Sequence, residues 1–212
     1  MFMKGLFITF EGTEGSGKTT LINKVVEYLE SLNVKNIKTR EPGGIKIAEE
    51  IRNVILNVEN VKMDKITEAL LYAASRRQHL VEKVIPYLNE GYVVICDRYI
   101  DSSLAYQGYA RGIGIDTVYG INMYAIDGVL PDYTFYIDVR PEVGLQRISV
   151  NNREKNRLDL ESINFHQRVY DGYKEVENRF KDRFININGE RDIDEVFLDI
   201  KNHLDKMIKN YK

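Results

Sequence analysis

Gly12, Gly17, Lys18 and Thr19 stand at the spacing G-x-x-x-x-G-K-[ST] inside EGTEGSGKTT, residues 11–20. Glycines let a backbone curl until its N–H groups point inward at phosphate oxygens. Lys18 adds a point charge for the outer phosphates, and the Thr19 hydroxyl suits a magnesium ion. An apolar run, LFITF, precedes the motif, and a helical pattern follows it, the context a phosphate loop requires. Residues Gly12, Thr13, Glu14, Gly15, Ser16, Gly17, Lys18, Thr19 and Thr20 are therefore a candidate nucleoside triphosphate site. Glu14 is the odd member, because a carboxylate is a poor neighbour for a triphosphate.

A second set of charges follows another apolar run. VVIC leads into Asp97-Arg98-Tyr99 and then IDSSLAYQGYARG. Asp97 sits where a strand-end carboxylate holds magnesium directly or through water, and Arg98 can clamp a phosphate in a bidentate manner. TREPGG places Arg40 at another strand end, and Arg52, Arg76 and Arg77 add cations on helices. Each reads singly as a solvated surface residue. Together they suggest a second anion site, and two facing phosphate sites imply transfer between two nucleotides. NNREKNRLD, residues 151–159, carries Arg153, Lys155 and Arg157 between two helices. It reads either as a solvated charged loop or as a lid whose arginines close over the transferring group.

The elements that must position these groups alternate regularly. Strands are expected at 6–10, 36–39, 93–96, 133–139 and 184–187. Helices are expected at 18–32, 46–56, 66–91 with a kink near Pro86, 116–127, 141–149, 161–180 and 192–210. Leu70, Leu71, Ala74 and Leu80 read as core positions of the long helix, and His79 and His166 as structural. The alternation predicts an α/β fold, a parallel sheet flanked by helices, with ligands at the carboxyl ends of the strands. No internal repeat or linker divides the 212 residues, so one domain is expected over 1–212. Thirty Lys and Arg against 32 Asp and Glu leave a net charge of −2, which argues against a general nucleic-acid binder. No run approaches about 18 apolar residues, and the apolar start is too short for a signal sequence. With a single cysteine, Cys96, a cytoplasmic protein is expected.

FEGTEGSGKTT, TREPGG, LLYAASRRQHL, DRYIDSSLAYQG and the RxxxR of the 151–159 segment occur in an order that resembles the thymidylate kinases, over essentially the whole chain. The resemblance implies a three-layer P-loop kinase fold with a central five-stranded parallel sheet and a lid at about 149–160. It implies transfer of a phosphoryl group from ATP to dTMP with Mg2+, and a homodimer. Glu14 is then explained: it turns out of the phosphate loop toward the sugar 3′-hydroxyl of the acceptor nucleotide. Arg98 and Arg40 are implied as ligands of the dTMP phosphate, and Thr19 and Asp97 as parts of the metal network. Tyr72 falls where the family usually stacks a phenylalanine on thymine. Arg76, Arg52, Ser103 and Gln107 fall at base- or sugar-reading positions, and Tyr106 crowds the sugar 2′ position. Gly15 stands where some members carry an arginine, so the lid supplies that cation, with Arg153 preferred to Arg157 and Arg147 third.

Two other readings compete. A nucleoside kinase on the same fold needs a base for a neutral 5′-hydroxyl, set in an acidic-arginine pair that the sequence lacks. A nucleotide-gated switch needs no second anion site, and the Asn-Lys-x-Asp signature of GTPases is absent.

Overall fold

The structure is a computed structural model that describes residues 5–150 and 157–211. Five strands, β1 (Leu6–Glu11), β2 (Asn36–Arg40), β3 (Val93–Asp97), β4 (Tyr133–Asp138) and β5 (Phe184–Asn188), form one parallel sheet in the order β2-β3-β1-β4-β5. Helices cover both faces, the three-layer arrangement the motif order predicts.

Strand periodicity decides which face each side chain serves. Leu6, Ile8 and Phe10 of β1 and Val93 and Ile95 of β3 enter one core layer. There they meet Leu21, Val25 and Leu29 of α1 (Lys18–Ser31) and Val196, Ile200 and Leu204 of α9 (Ile193–Tyr211). The intervening Phe7, Val94 and Cys96 point to the opposite layer, against Leu80, Val84, Leu88 and Val118. Runs such as LFITF and VVIC are thus nearly continuous in apolar residues because both faces are buried, Thr9 pairing its hydroxyl with Thr134.

The expected long helix over 66–91 is interrupted. α3 (Lys65–His79) begins at Asp64, whose carboxylate accepts the N–H groups of Ile66 and Thr67 at 2.9 and 3.1 Å. A π-helical turn, Leu80–Val84, then joins α3 to α4 (Ile85–Asn89). Pro86 lacks an N–H and its ring crowds the carbonyl four residues back, so the chain widens in the turn before it. Of the four residues assigned to the core of this helix, only Leu80 is buried; Leu71 is half-buried, while Leu70 and Ala74 are exposed. They lie with Ile66 on the face of α3 turned away from the sheet. Residues 100–110, read only as a motif, are also helical: α5 (Ile100–Ser103) runs into a π-helical segment, Leu104–Ala110. α2 (Lys46–Leu56), α6 (Ile115–Ile126), α7 (Pro141–Val150) and α8 (Ile163–Arg179) complete the outer layers.

β1, β2 and β3 end together: Arg40 pairs with Asp97, and Asp97 with Phe10. The phosphate loop, Arg40, Asp97 and Arg98 therefore all leave the sheet at one edge, where the strand order reverses about β1.

Candidate active site

A cleft of about 560 Å3 opens at that edge, a size suited to small-molecule ligands. Its floor is the phosphate loop. Gly17 takes a left-handed conformation, φ +88°, and α1 starts after it with no side-chain cap. The first N–H groups of α1 are therefore available to an anion, aided by the helix dipole. Lys18 Nζ lies at the centre of the loop, donating to the carbonyls of Gly12 (3.1 Å) and Thr13 (2.9 Å) and to Ser16 Oγ (3.0 Å). Burial, and then Arg98, push its ammonium down to about 8, while Asp97, Glu14 and Glu11 pull it back. The Thr19 hydroxyl donates to Asp97 Oδ2 at 3.3 Å, so the two oxygen donors expected to hold a metal line the cleft together. Gly15 abuts α7: a Cβ there would come within 2.0 Å of the Gly144 carbonyl. The loop thus has no room for a side chain such as arginine at that position.

Glu14 leaves the loop for the far side of the cleft. Its Oε1 accepts from Arg98 at 3.1 Å and from the Tyr106 hydroxyl at 2.5 Å, and His166 Nδ1 lies 3.5 Å from Oε2. Burial would raise this carboxyl, but Arg98 first, then His166, Tyr106 and Lys18, hold it well below the usual carboxylate range. It is an ionised acceptor, not a proton reservoir. Arg98 also stacks over the Tyr106 ring, 5.2 Å from its centroid.

Other cations converge on the same end. Arg40 donates to Glu49 (2.8 Å) and Arg52 to the Pro42 carbonyl (2.8 Å), and both line the cleft. Burial, then the neighbouring Arg40, lower Arg52 from its ordinary value. Tyr72 lines the wall beside them, its hydroxyl raised by burial and by Glu68.

Several expected residues sit differently. Gly12 and Thr13 shape the loop from behind the cleft, Thr13 Oγ1 donating to the Val139 carbonyl at 3.0 Å. Arg76 reaches the cleft but is heavily committed: it donates to Glu41 (2.7 Å), Ser103 (3.1 Å), Asn122 and the Tyr99 carbonyl (2.9 Å). Four of its five N–H groups are spent on protein partners. Ser103 is buried behind Arg76 and does not line the cleft; Ser102 does. One helical residue step turns a side chain by about 100°, enough to exchange the two faces. Arg77 points away and donates to the Ala125 carbonyl of α6. Gln107 lines the cleft and donates its amide to Glu68 Oε1 at 2.8 Å. Arg157 is held on the same carboxylate, at 2.6 Å, and on the Ile55 carbonyl at 2.8 Å, so it is tied to α3 and α2. Arg147 lines the cleft and donates twice to the Gly189 carbonyl. Arg153 and Lys155 lie outside the described residues.

The buried Glu11, Tyr173, His166 and Glu68 and the half-buried Ser102 were not singled out in the sequence as site residues. Only Glu11 carried a local signal, a carboxylate ending a buried strand.

A thymidylate kinase family model matches residues 10–200. The chain belongs to the thymidylate kinase family. Thymidylate kinase from Clostridium novyi is 60% identical over 202 residues, covering 95% of this chain and 98% of that one. The thymidylate kinase of Geobacillus is 55% identical over 92% of this chain and 93% of its own. The solved thymidylate kinase of Ehrlichia chaffeensis superposes with a TM-score of 0.77 at 35% identity, over 95% and 98% of the two chains. The fold is thus shared over 95% of the chain.

Proposed function

We propose that this protein transfers the γ-phosphoryl group of ATP to dTMP, giving ADP and dTDP. The observation that carries this reading is the division of one cleft by Glu14: a phosphate loop on one side, and Arg98, Arg40 and Arg52 on the other. The acceptor oxygen of dTMP is already anionic near neutral pH, so no general base is required. Positioning and charge neutralisation carry the chemistry. The loop N–H groups and Lys18 take the donor phosphates. Arg98, with Arg40, holds the acceptor phosphate in line, and Glu14 receives the sugar hydroxyl. Tyr72 stacks on the base, Gln107, Arg76 and Arg52 read its surroundings, and Tyr106 closes the 2′ side. Of the lid arginines, Arg157 is committed to Glu68, and the role over the transferring group falls to Arg153.

Thr19 and Asp97 would hold Mg2+. Thr19 and Asp97 would supply two protein oxygens, which fits an ion that keeps waters and takes substrate phosphates as its other ligands. When bound, the ion neutralises charge on the donor phosphates. A cytoplasmic location goes with this reading: Cys96 is a free, buried thiol, and no helix among the described residues is long and apolar enough to cross a membrane.

Thermal denaturation separates this reading from a triphosphate switch. dTMP alone, at 100 times its Kd, is expected to add about 2.7 kcal/mol. An unchanged midpoint with dTMP, beside a shift with ATP, contradicts the proposal. A pH dependence follows from Lys18. Its charge in the free enzyme is lost as pH rises through about 8. kcat/KM for ATP is expected to fall over that interval, while kcat, reporting the complex in which phosphate restores the charge, holds to higher pH. Parallel profiles for the two parameters would contradict this assignment.

The homodimer is part of the proposal. Ile66, Leu70 and Ala74, at four-residue spacing on α3, and Val81 beyond them form an exposed stripe, and Tyr124 of α6 is 93% exposed. Helices α3 and α6 pack together and present this surface jointly. Leu70→Glu is expected to shift the protein from dimer to monomer in sedimentation; an unchanged dimer would place the interface elsewhere.

A further inference from the structure

Glu11, the last residue of β1, is fully buried, and the phosphoryl-transfer reading leaves it without a role. Its carboxylate accepts three hydrogen bonds from the acceptor side of the cleft. Oε1 takes the backbone N–H of Tyr99 at 2.7 Å. Oε2 takes the Ser102 hydroxyl at 2.6 Å and the Tyr173 hydroxyl at 2.8 Å. The same two hydroxyl oxygens, 2.8 Å apart, accept from one terminal nitrogen of Arg98 at 3.2 and 3.0 Å.

A hydroxyl carries one proton and two lone pairs. When both protons are given to an ionised Glu11, each oxygen turns a lone pair toward Arg98. The guanidinium is then held by one terminal nitrogen while the other reaches Glu14. The backbone is constrained as well. Arg98 has φ +69°, in the left-handed region that a residue with a side chain occupies only when its surroundings enforce it. Its N–H is fixed by the Phe10 carbonyl at 3.0 Å, and the next N–H by Glu11.

We propose that Glu11 is the positioning residue of Arg98, fixing its strained backbone directly and its guanidinium through Ser102 and Tyr173, and so setting affinity for the phosphate of the nucleoside monophosphate. The proposal rests on the reading of Arg98 as the acceptor-phosphate ligand. Burial, then Asp101, raise the Glu11 carboxyl to about 7 against the pull of Arg98, Ser102 and Tyr99. The test is therefore made at pH 8, where the carboxylate form predominates.

The experiment compares Kd for dTMP and for thymidine by calorimetry in the wild type, Glu11→Gln and Arg98→Ala. Glu11→Gln keeps the size and an acceptor for Tyr99 but makes the second atom a donor, which reverses the hydroxyls against Arg98. Expected is a loss of about tenfold or more for dTMP, equivalent to about 1.4 kcal/mol, with thymidine affinity unchanged. Ser102→Ala/Tyr173→Phe removes the same relay without touching the backbone anchor. It is expected to show the same phosphate-specific loss, and it carries the test if Glu11→Gln does not fold. Equal weakening of dTMP and thymidine would reduce Glu11 to a packing role and overturn the inference. An intact dTMP preference in the Glu11 and double variants, with that preference lost in Arg98→Ala, overturns this inference alone. An intact preference in Arg98→Ala overturns the reading of Arg98 and the inference with it.

Discussion

A Lys18→Ala protein is expected to bind dTMP normally and to turn over about 10³-fold or more slowly, the scale on which a positioned cation acts in phosphoryl transfer. Lys18 Nζ is the one charge fixed at the centre of the loop, held by Gly12, Thr13 and Ser16. The loop N–H groups supply dipoles but no net charge, so alanine removes a full positive charge from the donor phosphates at the transition state. No acceptor contact is lost. Steady-state kinetics with varied dTMP checks this: kcat falls while the Kd for dTMP, measured directly, stays within twofold. A residual kcat within tenfold of wild type would mean that Lys18 serves the fold of the loop and not the transfer.

Arg98→Ala is expected to act on the other half of the cleft. Truncating one partner of a buried charge pair costs about 2–5 kcal/mol, much of it the penalty of leaving the other charge alone. Here that partner is Glu14, which would lose its one direct ion pair with an arginine and keep Tyr106, His166 and the field of Lys18. kcat/KM for dTMP is therefore expected to drop by about thirtyfold to several thousandfold, with KM for ATP little changed. Glu14→Gln in the same background should restore part of the loss, because it removes the uncompensated charge. Equal losses for ATP and dTMP would show that Arg98 holds the whole edge together and does not serve the acceptor alone.

The strands and the phosphate loop were legible because their signals are local. LFITF and VVIC are short, largely apolar on both faces and followed at once by the loop and by Asp97-Arg98. The α5 segment was not, because IDSSLAYQGYA mixes serines and a glycine, and its helical form is set by packing on α6 and α8. Leu70 was misplaced for a related reason. An apolar residue at helical spacing looks the same whether it faces the sheet or a partner surface. Within the site, residue types and their order identified the cations but not their bonds. Arg76 and Arg157 are spent on Glu41 and Glu68, 35 and 89 residues away in sequence. The Ser102–Tyr173–Glu11 cluster spans even longer separations and leaves no local pattern.

The most direct test is ADP formation from ATP and Mg2+ with dTMP, dUMP, dCMP, AMP and thymidine as acceptors. Turnover strongly favouring dTMP is expected: thymidine lacks the phosphate proposed for Arg98 and Arg40, and the other monophosphates lack the thymine base proposed for Tyr72 and Gln107. Turnover of thymidine without turnover of dTMP, or none that depends on an acceptor, would contradict the division of the cleft on which the proposed function rests.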